Sequence, residues 1–185
     1  ATQNNPTINS NQCYETWVGG TSTDWGNDNN WKNGAPTSTI DVTINDTGNP
    51  PVIGATTGAS VKNLTINEPD GLTITGGGSL IVAGAVTANS TRNKITYSRT
   101  LSDNWHLVSP PVIGQQYNTA WANANGIDQQ GSDPITYAIA VYVTDSDGWS
   151  YATSNNSGTF ASGLGYAIKR ATAGIVSITG RLKTD

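Results

Sequence analysis

Three short apolar segments follow one another at a spacing of eight residues near the middle of the chain. They read NLTI, GLTI and SLIV, and the turn-forming stretches NEPDG and TGGG separate them. Short strands at regular spacing are typical either of hairpins or of the coils of a β-solenoid. Because stacked strands bury aliphatic side chains that are in phase, we expect Leu64, Leu72 and Leu80 to form one buried stripe.

The composition favours strands over helices along the whole chain. Glu occurs only as Glu15 and Glu68 and Met is absent, whereas Thr, Val and Ile, which favour strands, are plentiful. We therefore predict an all-β fold. Residues 1–13 form a flexible lead-in, residues 14–90 form short stacked strands in a solenoid-like or sandwich layer, and residues 91–185 form a β-sandwich-like region with one short helix.

The single predicted helix covers residues 116–126, with the sequence QYNTAWANANG. Tyr117, Ala120, Trp121 and Ala124 are spaced three or four positions apart or are direct neighbours, which places them on one helical face. A glycine closes the segment and is a suitable C-terminal stop. The strands around this helix carry alternating or continuous apolar residues, as expected of a sandwich.

The charge of the chain argues against two classes of partner. Nine Lys and Arg residues stand against thirteen Asp and Glu residues, and no basic patch is visible. Nucleic acids and anionic membranes attract proteins through such patches, so we expect neither partner. No apolar run reaches the roughly 18–20 residues needed for membrane insertion. Cys13 is the only cysteine, so the chain cannot form an internal disulfide.

Candidate catalytic groups are sparse. His106 is the only histidine, and no partner for base catalysis lies in its segment WHLVS. Strand alternation places His106 on the face opposite Trp105 and Leu107. Most Asp residues lie in turn contexts, where they bind backbone amides rather than flank a cleft. We therefore predict no catalytic residues and no enzyme activity.

Two segments carry Asp residues at spacings that suit calcium. TDSDGW places Asp145 and Asp147 at alternate positions before a glycine, like the opening of a calcium loop, but the rest of the EF-hand pattern is missing. The same letters fit a β-hairpin turn with Asp147 and Gly148 in type I′ geometry. DWGNDNNW offers Asp24 and Asp28 together with Asn carbonyl oxygens. The sequence suggests no cofactor other than calcium.

The stretch between the first two predicted strands is a polar loop with tryptophans in it and beside it. Trp25 and Trp31 could stack on pyranose rings while Asp24 and Asn30 bind hydroxyls, which makes these four residues candidate carbohydrate ligands. Alternatively, the indoles cap the exposed end of the stacked strands. An indole presents up to about 250 Å², worth roughly 25 cal/mol per Å², so we expect Trp17, Trp25 and Trp31 to be mainly buried.

The most distinctive stretches are TWVGGTSTDWGNDNNWKNGAPTSTIDVTI, VKNLTI, RTLSDNWHLVSPPVIGQQYNTAWANANGI, AVYVTDSDGWSYA and GTFASGLGYAIKR. Together they resemble large surface and secreted proteins of flavobacteria and related Bacteroidetes, many of which are adhesin-like cargo of the type IX secretion system. The resemblance covers roughly residues 15–182 and defines no catalytic residue. It implies an extracellular location at the bacterial cell surface. Since the sorting domain of such cargo does not follow here, we expect the chain to be part of a longer polypeptide.

These observations predict a non-enzymatic extracellular module for adhesion or structural display within a larger secreted protein. Its partner is expected to be a polysaccharide or the surface of a host or neighbouring cell. A first alternative is a carbohydrate-binding module of a secreted polysaccharide-degrading system. A second alternative is a subunit of an extracellular filament, joined to other protein chains through Cys13, the N-terminal tail or an open sheet edge.

Overall fold

The computed structural model describes residues 14–69, 71–88 and 94–182. These residues form eighteen strands and one α-helix, which confirms the all-β prediction. The lead-in predicted for residues 1–13, with Cys13, and the boundary predicted at residue 90 lie outside the described residues.

Most strands are short, with two to four residues each. The first nine strands are β1 (Tyr14–Trp17), β2 (Asp41–Ile44), β3 (Val52–Ile53), β4 (Gly58–Val61), β5 (Leu64–Ile66), β6 (Leu72–Ile74), β7 (Ser79–Val82), β8 (Val86–Ala88) and β9 (Lys94–Leu101). The helix α1 covers Thr119–Ala124. The other strands are β10 (Trp105–Val108), β11 (Val112–Ile113), β12 (Gln116–Tyr117), β13 (Gln129–Gln130), β14 (Thr136–Val143), β15 (Gly148–Thr153), β16 (Gly158–Thr159), β17 (Tyr166–Lys169) and β18 (Gly174–Leu182).

The first half of the chain winds into parallel coils with three faces. β1, β2, β5 and β8 stack in parallel on the first face. β3, β6 and β9 stack in parallel on the second face, and β4 and β7 on the third. On the first face Val42 pairs with Leu64, and Leu64 pairs with Val86, so one coil takes 22 residues. The stacked strands are therefore rungs of a parallel β-helix.

The predicted stripe of Leu64, Leu72 and Leu80 is wrong. These residues lie on β5, β6 and β7, which belong to three different sheets. Eight residues cover one strand and one corner, which is one side of a coil, whereas stacking requires a full turn of the coil. Leu64 and Leu72 are buried and Leu80 is partly buried, so the three side chains reach the same core from different faces.

The two glutamates of the chain are buried and hold backbone amides. Glu15 Oε1 accepts hydrogen bonds from the amides of Thr16 and Asn33 at 2.8 and 3.1 Å. Glu68 Oε2 accepts a hydrogen bond from the amide of Thr47, one coil away, at 3.1 Å. Burying a carboxylate is unfavourable unless hydrogen-bond donors surround it, so these amides help both glutamates to lie inside. Both residues therefore join neighbouring segments of the β-helix.

β9 connects the β-helix to the second half of the chain. It pairs in parallel with β6 and antiparallel with β18, within a sheet of order β11-β18-β9-β6-β3. A second sheet has the order β10-β17-β14-β13, with β15 also paired to β14. Ile178 from the first sheet and Ile168 from the second belong to one core cluster, together with Trp121 of α1. The second half therefore combines two sheets and one short helix around a common core.

The helix is shorter than predicted and buries a different face. Asn118 caps it by accepting a hydrogen bond from the Trp121 amide at 2.9 Å. Trp121 is buried, whereas Ala120 and Ala124 of the predicted face are exposed. The reason is that the Trp121 indole donates to the Ser177 carbonyl oxygen at 3.0 Å, which fixes the side of α1 that faces β18. Within the described part of the chain, no helix has the length and apolarity that crossing a bilayer requires.

Candidate functional site

The tryptophans in and beside the loop between β1 and β2 are buried, as predicted. Trp17, Trp25 and Trp31 are 1%, 2% and 3% exposed. The ring centroid of Trp31 lies 5.0 Å from that of Trp17 and 4.7 Å from that of Trp25, with edge-to-face geometry. Trp31 Nε1 donates to the Trp25 carbonyl oxygen at 2.7 Å, and Trp17 Nε1 donates to the Asn49 carbonyl oxygen at 2.9 Å. We call these three indoles the tryptophan cap, because they pack at the β1 end of the coils.

Asn30 is the polar centre of the tryptophan cap. Its side chain is completely buried. Asn30 Oδ1 accepts hydrogen bonds from the amides of Thr21 and Ser22 at 2.9 Å each. Asn30 Nδ2 donates to the Asp24 carbonyl oxygen at 2.8 Å. The side chain therefore satisfies the backbone of the loop that carries the indoles, as a buried amide requires.

Three of the four candidate carbohydrate ligands in this loop are inaccessible. Trp25, Trp31 and Asn30 are buried, so none of them presents a surface to a sugar. Asp24 is exposed, and its Oδ1 accepts a hydrogen bond from the Gly26 amide at 3.0 Å in an Asx-turn. The physical reason is the large apolar surface of the indoles, which the loop removes from water by covering the end of the β-helix.

The Asp residues considered for calcium lie in turns and one-turn 3₁₀ helices. Asp28 Oδ1 accepts a hydrogen bond from the Ala35 amide at 2.9 Å. Asp145 and Asp147 lie in the hairpin between β14 and β15, where Asp147 has a left-handed φ of 48° and accepts a hydrogen bond from the Tyr142 hydroxyl. A type I′ turn needs two left-handed residues, so the hairpin is instead a four-residue loop closed by Asp147. The described residues contain no group of three His, Cys, Asp or Glu side chains that could hold a metal ion.

β10 has two different faces, as its alternation predicts. His106 is half-buried, and its Nε2 lies 2.9 Å from Ser102 Oγ. Trp105 and Leu107 lie on the opposite face and are exposed. This places the single histidine in a local hydrogen bond and leaves the two apolar neighbours at the surface.

Five large apolar side chains share one side of the second sheet. We call this set the outer face, and its members are 44–76% exposed: Trp105, Leu107, Tyr142, Trp149 and Tyr151. Across the sheet, Leu107 pairs with Ala167, and Ala167 pairs with Ala140. Ala140 in turn pairs with Tyr151. Residues two positions apart on a strand point to the same side of the sheet. Trp105 therefore lies on the side of Leu107, Trp149 on the side of Tyr151, and Tyr142 on the side of Ala140.

Alanines form the floor of the outer face. Ala140 and Ala167 are only 0% and 9% exposed, yet neither belongs to the hydrophobic core cluster. The side chains of the outer face therefore cover them. Above them, the rings of Trp105 and Tyr151 meet edge to face at a centroid distance of 6.1 Å. β17 and β14 separate the strands that carry these two rings. The small floor residues therefore allow aromatic side chains from distant strands to touch.

A groove with a volume of about 640 Å³ lies beside this aromatic pair. It combines ring surface with polar side chains from β13, β17 and the residue before β13. Its lining includes Trp105, Tyr151, Gln129, Gln130, Asp128 and Lys169. Pockets of this size with aromatic walls and a few polar groups are the usual form of a ligand site.

One ion pair lines the groove. Lys169 Nζ lies 2.6 Å from Asp128 Oδ2. The hydrogen bond from Lys169 holds the pKa of the Asp128 carboxyl below its ordinary value. Asp128 and Lys169 therefore form an ion pair whose opposite charges offset each other within the lining of the groove.

The groove residues carry no sequence motif. The signal that exists is strand alternation, since WHLV places Trp105 and Leu107 on one face and GWSYA does the same for Trp149 and Tyr151. Alternation does not show which faces come together, because that depends on pairing between strands far apart in the chain. The groove was therefore missed among the candidate sites that the sequence predicts.

A family model matches the chain over residues 16–108, which is half of its length. The model is described as a domain of unknown function, DUF8693. The chain belongs to this family. The DUF8693 region runs from β1 through the tryptophan cap and the coils to the end of β10, so it contains Trp105 but not Tyr151 or Gln130. No curated protein and no solved structure matches the chain.

Proposed function

We propose that this DUF8693 protein is a non-enzymatic adhesion module at the bacterial cell surface. The observation that carries the proposal is the outer face, whose five large apolar side chains are 44–76% exposed on one side of a sheet. Contiguous apolar surface of this kind marks interaction sites, because leaving it in water is unfavourable unless a partner covers it.

The β-helix suits the display of such a surface. Its coils share one continuous core, and hydrogen-bonded rungs on three faces make it a stiff column. The second sheet, which carries the outer face, is attached to this column through the sheet that contains β9. The resemblance to secreted flavobacterial surface proteins agrees with this arrangement, and it supports an extracellular location within a longer polypeptide.

A second candidate function is a carbohydrate-binding module of a polysaccharide-degrading system. The observation that favours it is the groove, where exposed rings lie next to the side-chain amide of Gln130. Both functions use the same side of the molecule. They differ in what binding serves, which is attachment in the first case and the delivery of a degradative activity in the second.

Adhesion can be measured with beads that carry the purified chain. We expect the beads to be retained on at least one of three surfaces: insoluble polysaccharides, fixed bacterial cells or protein-coated glass. Leu107→Ser, which changes the most exposed side chain of the outer face, should reduce retention several-fold.

The matched control is Ile81→Ser on β7, because Ile81 is 63% exposed but lies on the β-helix, outside the outer face. Beads with this variant should be retained like the wild type. Failure of wild-type beads on all three surfaces, or an equal loss for both variants, would contradict the adhesive function.

A further inference from the structure

The aromatic pair at the groove exposes ring surface that the fold does not use. Trp105 and Tyr151 are 48% and 45% exposed, although their rings touch at a centroid distance of 6.1 Å. In an edge-to-face pair, one ring offers only its edge to the other, so most of the remaining ring surface stays free. The tryptophan cap shows the opposite outcome, because there the fold buries all three indoles almost completely.

A side-chain amide borders this ring surface. Gln129 and Gln130 lie on β13, at the edge of the second sheet, and both are exposed. Neighbouring strand residues point to opposite sides: Gln129 pairs with the buried Tyr137 and donates to Asn123 Oδ1 of α1 at 2.7 Å, whereas Gln130 points to the side of the outer face. The side chain of Gln130 has no hydrogen-bond partner among residues 14–69, 71–88 and 94–182. A primary amide both donates and accepts hydrogen bonds, as a sugar hydroxyl does.

The charge of the groove selects an uncharged ligand. The charged side chains that line it are Asp128 and Lys169, and these pair with each other at 2.6 Å. A uronate or sulfated sugar that binds Lys169 comes close to the Asp128 carboxylate, and an amino sugar that binds Asp128 comes close to the Lys169 ammonium group. Each approach places a like charge beside the ligand and competes with the existing charge-assisted hydrogen bond.

We propose that the groove binds neutral sugar units of a polysaccharide chain, an inference that rests on the adhesive function and names its ligand. Trp105 and Tyr151 pack against the C–H face of a pyranose ring, and Gln130 binds its hydroxyls. The volume of about 640 Å³ lies within the range of about 300–1,000 Å³ that ligand sites occupy. This site is separate from the tryptophan cap, whose three indoles are buried.

Isothermal titration calorimetry with soluble hexasaccharides tests the ligand class on the full chain. The probes are cellohexaose, xylohexaose and mannohexaose as neutral chains, and hexagalacturonate as an anionic chain. We expect at least one neutral probe to bind saturably and hexagalacturonate to bind about tenfold more weakly or not at all. Trp105→Ala and Tyr151→Ala should each weaken binding of the neutral probe by about tenfold or more, as expected for aromatic side chains at the centre of a site.

Two further variants make the test decisive. Tyr14→Ala is the matched control, because Tyr14 is 54% exposed on β1, far along the chain from the groove, and its loss should leave affinity unchanged. Gln130→Ala alters an exposed amide that holds no part of the fold. It should weaken binding several-fold with an unchanged melting temperature, even if a ring variant fails to fold.

The saccharide proposal is overturned if no neutral probe binds, if hexagalacturonate binds more tightly than the neutral probes, or if the groove variants bind like the wild type. These outcomes are distinguishable from a failure of adhesion. Beads that adhere while no neutral probe binds leave the adhesive function standing and remove its sugar ligand. A saturable neutral probe together with beads that adhere to no surface supports the groove as a sugar site and removes the adhesive function.

Discussion

The side-chain amide of Asn63 donates to Asp41 Oδ1 at 2.7 Å, from one coil of the β-helix to the coil before it. The same side chain reaches the next coil as well, because its Oδ1 accepts a hydrogen bond from the Ala85 amide at 2.7 Å. Each partner lies 22 positions away along the chain. One asparagine therefore joins three successive coils.

Asn63→Ala should lower the free energy of unfolding by about 1–3 kcal/mol, because the Ala85 amide and the Asp41 carboxylate both lose a partner. Urea unfolding followed by circular dichroism measures the change. Asn67→Ala is the control, since Asn67 makes one longer bond, to Asn45 Oδ1 at 3.2 Å, and should cost about 0.5 kcal/mol or less. Equal costs for the two variants would show that the bridge across coils adds nothing.

The tryptophan cap should dominate the stability of the β-helix. Trp31→Ala removes the ring that contacts both other indoles, and we expect a loss of about 3–5 kcal/mol in the free energy of unfolding. Trp31→Phe keeps an aromatic ring but leaves the Trp25 carbonyl oxygen without its donor. The loss of this hydrogen bond should by itself lower the free energy of unfolding by about 1–2 kcal/mol.

Trp105→Ala is the comparison for Trp31→Ala, because Trp105 is 48% exposed and should cost about 1 kcal/mol or less. Chemical denaturation of the three variants gives the ranking. If Trp31→Ala and Trp105→Ala were equally mild, the cap would not be part of the cooperative fold.

Close packing between coils should make Gly77 intolerant of a side chain. Gly77 has a φ of +97°, and a Cβ added there would lie 2.6 Å from the Ala55 carbonyl oxygen on the preceding coil. We expect Gly77→Ala to lower the free energy of unfolding by about 2–4 kcal/mol, from backbone strain and this contact together. Gly163 has a φ of +81° with nothing within 4 Å, so Gly163→Ala should cost only about 1–2 kcal/mol. A melting-temperature shift of the same size in both would argue against the close approach of the coils.

The Asp128–Lys169 pair should make stability depend on pH in one direction. The hydrogen bond from Lys169 lowers the pKa of the Asp128 carboxyl in the folded chain, whereas the unfolded value is about 4. A group with a lowered folded pKa stabilises the fold fully above its unfolded pKa. The contribution of this pair is therefore complete above about pH 4 and is lost as the pH falls through the folded pKa.

Carboxyl ¹³C NMR titration of Asp128 checks this direction. In the wild type, we expect Asp128 to titrate below an ordinary aspartate. In Lys169→Met, its pKa should rise towards the ordinary value because the main cause of the shift is gone. The same Asp128 titration in both proteins would mean that the ion pair does not form in solution.

Local physical chemistry predicted the tryptophan cap better than it predicted the coil. The burial of Trp17, Trp25 and Trp31 follows from the area of an indole, and that reasoning needs no knowledge of the fold. The length of a coil becomes visible only when segments about 22 residues apart are compared. IDVTIND, KNLTINE and GAVTANS begin at residues 40, 62 and 84, and this 22-residue repeat marks the first face of the β-helix. The spacing of eight between Leu64 and Leu72 is a different distance, because these residues lie on two consecutive sides of one coil. It therefore does not report the 22-residue repeat.

The groove lies beyond what local patterns can predict. Trp105 and Tyr151 are 46 positions apart and meet only because β17 and β14 place alanines between their strands. Neither alternation nor composition determines that order of strands. The Asp128–Lys169 pair has the same origin, since β17 and the residue before β13 come together through the fold.

The six tryptophan indole N–H resonances test the central claim most directly, because each reports whether its own ring meets the ligand. A ¹⁵N-labelled chain is titrated with the neutral hexasaccharide that binds most tightly, and the indole region of a two-dimensional NMR spectrum is followed. We predict a saturable shift of the Trp105 resonance, while the resonances of Trp17, Trp25 and Trp31 stay in place. A saturable shift of Trp25 or Trp31 without one at Trp105 would contradict the account, because it would place the sugar site at the tryptophan cap instead of the groove.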